Sequence, residues 1–202
     1  MTNIAAAIKS EPKLTDKAKF VGMLGTILAL LLLLFSLGSV RKGYMGMSKV
    51  IAEHNVRMDI PAAQFVFTTK WPHGLSFTPV DSSGLVRLEG AKYEKLAKTE
   101  TAVVKLLMEN YKIWLQARHN IPNGGEIKES SILFDTVAIY MAYSTKLLKM
   151  ERLPILITDD GFTAIDVTGK ANEVDVATGW KDLSAFNHML VERLQKNIVS
   201  KL

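Results

Sequence analysis

One stretch of the chain has no polar side to it. From Phe20 to Val40 the sequence reads FVGMLGTILALLLLLFSLGSV, about 21 residues without a formal charge. As a helix it would be roughly 31 Å long, close to a bilayer's hydrocarbon core of about 30 Å. Thr26, Ser36 and Ser39 are scattered through it and can bond back to their own helix. The pattern predicts a transmembrane helix over 20–40. The rival reading is a signal peptide, with Ser36-Leu37-Gly38 as the small-x-small cleavage site. Signal peptides have shorter apolar regions, about 7–15 residues, and a basic region nearer Met1. An uncleaved anchor is therefore the expectation.

The flanks complete this reading. Residues 1–19 are polar, basic and interrupted by Pro12, and read as a short cytoplasmic tail. Val40, Tyr44, Met47 and Ile51 keep helical spacing, which predicts a juxtamembrane helix within 41–58, weakened by Gly43 and Gly46. Asp59-Ile60-Pro61 should end it, because the residue before a proline avoids the helical region. Lys9, Lys13, Lys17 and Lys19 precede the span, and Arg41, Lys42 and Lys49 follow it. The positive-inside bias is nearly balanced. The short basic tail favours an N-terminus inside and a C-terminal domain outside.

Residues 59–202 read as one globular domain. Phe65 to Lys70 alternate with period two and predict a strand within Ala63–Glu89, followed by a second over Leu75–Val80 and a third over Leu85–Glu89. Trp71-Pro72-His73-Gly74 and Asp81-Ser82-Ser83-Gly84 supply the turns. Ala91 to His119 predicts a long amphipathic helix. Leu96, Val103, Leu107, Tyr111, Trp114 and Arg118 form its buried stripe, with Val104, Met108 and Leu115 beside them. A second helix is expected from Ser130 or Ser131 to about Arg152, with a strand over Ile132–Tyr143 as the alternative. Pro154 to Val167 reads as a hairpin about Asp159-Asp160-Gly161. A short strand over Val174–Ala177 follows, then a last helix over 182–199 capped by Asp182, with Leu183, Phe186, Leu190, Leu194 and Ile198 inward. The order is β-β-β-α-α-β-β-α. The expected fold class is α+β: a single N-terminal transmembrane helix, then one domain with an antiparallel sheet and three helices.

Charge and composition narrow the function classes. The chain carries 25 basic and 20 acidic residues, a net +5 with the signs mixed, and lacks the concentrated basic face of a nucleic-acid binder. It has no cysteine, which removes disulfides, thiolate metal sites and cysteine nucleophiles. An exported domain of this kind suits a bacterial or phage envelope.

Candidate chemistry is sparse. His54, His73, His119 and His188 are isolated and show no metal-ligand spacing. Asp159 and Asp160, with Asp166 across the hairpin, are an acid cluster that turn chemistry explains without a metal. Ser82-Ser83-Gly84 lacks the flanking glycine of a nucleophile elbow, and Asn123-Gly124-Gly125 lacks the lysine of a phosphate loop. Tyr111, Trp114 and Tyr140 read as core packing between helices. No catalytic, metal or cofactor-binding residue is expected. The feature that points to association is the small-residue strip Gly22, Gly25, Thr26 and Ala29, which would let helices pack closely in lipid.

In layout the chain resembles the bitopic inner-membrane subunits of type IV secretion and conjugation machines. The resemblance implies a non-enzymatic subunit of an envelope-spanning assembly, partnered by membrane lipid and by itself or other membrane subunits. The layout is also similar to that of T-even phage holins, which would imply a membrane lesion made through the span. A membrane-tethered enzyme or ligand sensor is the third expectation.

Overall fold

The computed structural model describes residues 38–72, 74–119 and 127–196. The chain divides into two compact units, Met1–Leu85 with Phe134–Lys181, and Val86–Leu133 with Asp182–Leu202.

The first unit is built on a four-stranded mixed sheet. Its strands are β1 (Ser76–Phe77), β2 (Leu148–Ile157), β3 (Thr163–Ile165) and β4 (Glu173–Trp180), in the spatial order β1-β4-β2-β3. β2 pairs antiparallel with β3, placing Ile155 opposite Ile165 and Ile157 opposite Thr163. It also pairs antiparallel with β4, with an irregularity between Lys149 and Met150. β1 runs parallel to β4, with Phe77 beside Val176. The expected antiparallel α+β sheet is thus corrected to an α/β fold with a mixed sheet. The hairpin about Asp159-Asp160-Gly161 is present, with Gly161 at φ +86°. β4 extends beyond the short strand expected over Val174–Ala177.

The helices of this unit are α1 (His54–Met58), α2 (Ile60–Thr68), α3 (Val80–Ser83) and α6 (Asp135–Met141). A 3₁₀ turn, Tyr44–Gly46, takes the place of a juxtamembrane helix through that stretch. Residues 63–68, expected to begin a strand, are helical as part of α2. The Asp59 carboxylate caps α2 by accepting the N–H of Ala62, and Pro61 occupies its first turn, where its missing N–H costs nothing. Buried Ala63, Val66 and Phe67 are spaced three and four apart, which a helix faces one way and a strand cannot. Phe67 meets Phe77 edge to face, centroids 5.1 Å apart, in a core shared with Val56, Ile155 and Val176. The helix expected from Ser130 to Arg152 is helical only through α6. Ser144 Oγ and the Leu147 N–H then both donate to Tyr140 Oη at 3.2 Å, turning the chain into β2.

The second unit holds α4 (Gly90–Ala97), α5 (Ala102–His119) and α7 (Leu183–Gln195). The single helix expected over 91–119 is two, because the chain leaves helical geometry at Lys98 and re-enters after Thr101. The buried line of α5 is Val104 and Leu115, with Met108 and Tyr111 packed against the same core. Val103 and Leu107, expected inside, are 50% and 43% exposed. Asp182 caps α7 as expected, and Phe186, Asn187 and Val191 are its buried residues. The third expected strand, 85–89, forms only a single bridge between Glu89 and Glu129.

The proposed span falls on residues 20–40, of which 20–37 lie outside the described residues. Its last three, Gly38 to Val40, are part of the first unit. Gly38 and Ser39 are buried, the Gly38 carbonyl accepts the Val80 N–H at 2.8 Å, and Val40 packs on the unit's core. Among the described residues no helix is long and apolar enough to cross a membrane.

Candidate functional site

In the first unit, a short loop, a buried glutamate and the start of a helix make the most chemically unusual region. The loop is Gly38–Lys42. Gly38 adopts φ +84°, and a side chain there would run into that of Thr163. The loop is held from below by Asp81, which is only 3% exposed. Its carboxylate accepts the N–H groups of Val40 at 2.8 Å, Arg41 at 2.7 Å and Lys42 at 3.0 Å. Three aligned donors satisfy a charge that burial would otherwise make very costly. The Arg41 guanidinium then reaches outward to Glu151 in a two-pronged pair at 2.7 and 2.9 Å, which holds the Glu151 carboxyl below its usual range.

Glu53 sits at the N-terminus of α1 and is 4% exposed. Its carboxylate accepts the N–H of Asn55 at 2.9 Å and of Val56 at 3.3 Å, and the Gly38 N–H also faces it. These donors and nearby His54 favour the ionised form, but burial outweighs them and pushes the Glu53 pKa up. Tyr44 is raised by its own burial and by the charge of Glu53. The Tyr44 ring meets Phe134 edge-on at 5.8 Å. Phe134 directly precedes Asp135, at the start of α6, whose carboxyl is also pushed up by desolvation. Glu53 and Asp135 are thus both acids that hold their protons more tightly than ordinary carboxylates do. The side-chain amide of Asn55, two residues on from Glu53, has no hydrogen-bond partner among the described residues.

Raised carboxyl pKa values are a feature that general acid–base sites share. No three histidines, aspartates or glutamates among the described residues converge so as to hold a metal ion.

The residues singled out in the sequence have other roles. Asp159 accepts the Gln64 side-chain amide at 2.9 Å, and Thr158 bonds Asp160. The Thr168 side chain, and the N–H groups of Thr168, Ala171 and Lys170 that Asp166 accepts, hold its pKa far down. The three aspartates thus act separately, as turn residues. Ser82 and Ser83 lie in α3, bonded to Thr78 and to the Pro79 carbonyl. His188 is exposed and faces Glu192 at 3.3 Å. Tyr111 stacks on Trp114 at 5.9 Å, and its hydroxyl oxygen accepts the Ser131 N–H at 2.6 Å, whereas buried Tyr140 belongs to the first unit. His73, Asn123, Gly124 and Gly125 lie outside the described residues, as does the side chain of His119. The strip Gly22, Gly25, Thr26 and Ala29 lies outside them too. Sequence reasoning missed Glu53, Asn55 and Asp135. The usable signal was Glu53-His54-Asn55 ahead of Asp59, a polar cluster in an otherwise apolar approach to a helix start.

Residues 1–188 match the family model of inosine-uridine preferring nucleoside hydrolases. The chain belongs to that family. No curated protein matches it. Among solved structures it is similar to a plant nucleoside hydrolase, with a TM-score of 0.59 and 18% identity over 78% of this chain and 51% of that one. It is also similar to the purine-preferring ribonucleoside hydrolase from Gardnerella vaginalis, with a TM-score of 0.61 and 19% identity over 80% of this chain and 51% of that one. At these identities the likeness shows the fold. The chain spans about half the length of the solved structures it matches.

Membership of the nucleoside hydrolase family overturns the envelope-subunit and holin readings, together with the inner-membrane placement and the expectation of a non-enzymatic protein. The family match runs through residues 20–40, so the apolar run is part of that family's domain. Hydropathy records exclusion from water, and a protein core excludes water as a bilayer does.

Proposed function

We propose that the site around Glu53 takes part in hydrolysing the N-glycosidic bond of nucleosides. In that reaction the bond from C1′ to the base nitrogen breaks. Water delivers hydroxide to C1′, and its remaining proton goes to the base. The sugar passes through an oxocarbenium-like state, as in other glycoside hydrolyses. Glu53 is rigidly held by backbone N–H groups; when ionised it supplies negative charge to that state, and its carboxyl oxygens accept hydrogen bonds from sugar hydroxyls. The uncommitted amide of Asn55 offers a donor and an acceptor to the same hydroxyls. The Tyr44 hydroxyl adds a further polar group near Glu53.

The observation that carries this reading is Glu53: a carboxyl 4% exposed, pinned by N–H groups and raised in pKa, in a domain of the nucleoside hydrolase family. Release of free base and ribose from inosine and uridine tests it. Glu53→Gln keeps the backbone contacts and should lower kcat/KM by about 10² to 10⁴. Full activity in Glu53→Gln, or no hydrolysis of either nucleoside by the wild type, would overturn it.

A further inference from the structure

Next to Glu53 in the chain, the first unit contains a second recess. It is a cleft of about 480 Å³ whose lining includes Tyr44, Lys49, Ile51, His54, Arg57 and Phe162. Its wall carries no aspartate or glutamate, while three of its residues are basic. Neither Lys49 nor Arg57 has a carboxylate partner among the described residues. Three arginines elsewhere do have carboxylate partners: Arg41 has Glu151, Arg87 has Glu129 and Arg152 has Glu173. Cations without a carboxylate partner in the lining of a recess give it a positive potential that suits an anion.

The cations are also positioned. The Arg57 stem and Ile60 pack over Gly161 at the tip of the β2–β3 hairpin, where an added Cβ would lie only 3.2 Å from Arg57 Cγ. Any side chain at 161 would push that stem aside. At Gly43 an added Cβ would strike the Lys49 carbonyl oxygen, so the 43–49 loop closes tightly on itself, with the Gly43 N–H on the Met47 carbonyl at 2.8 Å. Tyr44 belongs both to this cleft and to the Glu53 site, so the two adjoin.

We propose that this cleft receives the phosphate of a nucleoside monophosphate, held by Arg57 and Lys49, so that the protein takes nucleotides in preference to free nucleosides. The inference rests on the reading above that the sugar lies at Glu53. Phosphate suits the planar fork of arginine and the point charge of lysine.

Calorimetric titration of the purified chain at low ionic strength, with uridine, uridine 5′-monophosphate and inorganic phosphate, tests the inference. The nucleotide should bind at least tenfold more tightly than the nucleoside. Arg57→Met, which keeps the apolar stem over Gly161, and the exposed Lys49→Met should each collapse that gap, with circular dichroism confirming the fold. Equal affinity for uridine and its monophosphate in the wild type, or a gap that survives both substitutions, overturns the phosphate assignment and leaves the nucleoside reading intact. Inorganic phosphate binding as tightly as the nucleotide assigns the cleft to the free anion and overturns the nucleotide form. Phosphate binding that Arg57→Met abolishes, with neither uridine nor its monophosphate bound, overturns the nucleoside reading and the nucleotide form together. No binding of any of the three overturns both.

Discussion

Asp81 and Arg41 are 40 residues apart in sequence, yet the Asp81 carboxylate accepts the Arg41 backbone N–H at 2.7 Å. With the parallel bonds from Val40 and Lys42, this contact anchors the loop whose Gly38 N–H faces Glu53. Asp81→Ala would leave three loop N–H groups without their acceptor. It should cost about 2–4 kcal/mol of stability, read as a lowered urea midpoint. It should also reduce nucleoside hydrolysis through misplacement of Glu53. An unchanged midpoint would show that the loop is held by other means.

Gly38 tests the same loop from the other side. Gly38→Ala adds a Cβ at φ +84° and drives it into Thr163. Strain of this kind costs about 1–3 kcal/mol before the collision is counted. Thermal melts should show a clear drop, and a stability equal to wild type would mean that the loop can retreat freely.

Glu53 predicts a pH dependence of stability. Its folded pKa is raised, chiefly by burial, so between the ordinary glutamate value and the raised one the folded state holds more proton than the unfolded. Stability therefore falls as pH rises through that window and stays lower above it. Asp135, also raised by desolvation, adds to the same slope. Asp166 acts oppositely: its lowered pKa gives stability present above the ordinary aspartate value and lost as pH falls below it. Glu53→Gln cannot lose a proton, so its urea midpoint should decline less from pH 4 to 8 than that of the wild type. Parallel profiles would contradict the assignment.

The two faces of α5 should respond unequally to charge. Val104 is fully buried, whereas Leu107 is 43% exposed. Val104→Asp should unfold the second unit, since an unpaired buried carboxylate costs several kcal/mol. Leu107→Asp should shift stability by no more than about 0.5–1 kcal/mol. Expression and melting curves of the pair decide it, and similar behaviour would mean that the helix is turned otherwise.

What the sequence by itself determined about this protein is local. Asp159-Asp160-Gly161 specifies its hairpin because glycine there adopts φ +86° at no cost, and Asp182 starts α7 because its carboxylate reaches the Ala185 N–H three residues on. These are interactions between neighbours, and neighbours are visible in a sequence. Only the tertiary structure decided the rest. Phe65 to Lys70 alternates like a strand, but Asp59 and Pro61 start a helix before it, and Phe67 finds its partner in Phe77. β1 is two residues long and exists because β4, about a hundred residues later, offers a parallel edge. Glu53 becomes chemically distinctive only when Gly38 and the first N–H groups of α1 close around it and water is removed. The 20–40 run misled because hydropathy alone does not say whether lipid or protein receives a segment: of that run, Gly38 to Val40 are held in the first unit from far along the chain, the Val80 N–H bonding the Gly38 carbonyl and Asp81 accepting the Val40 N–H.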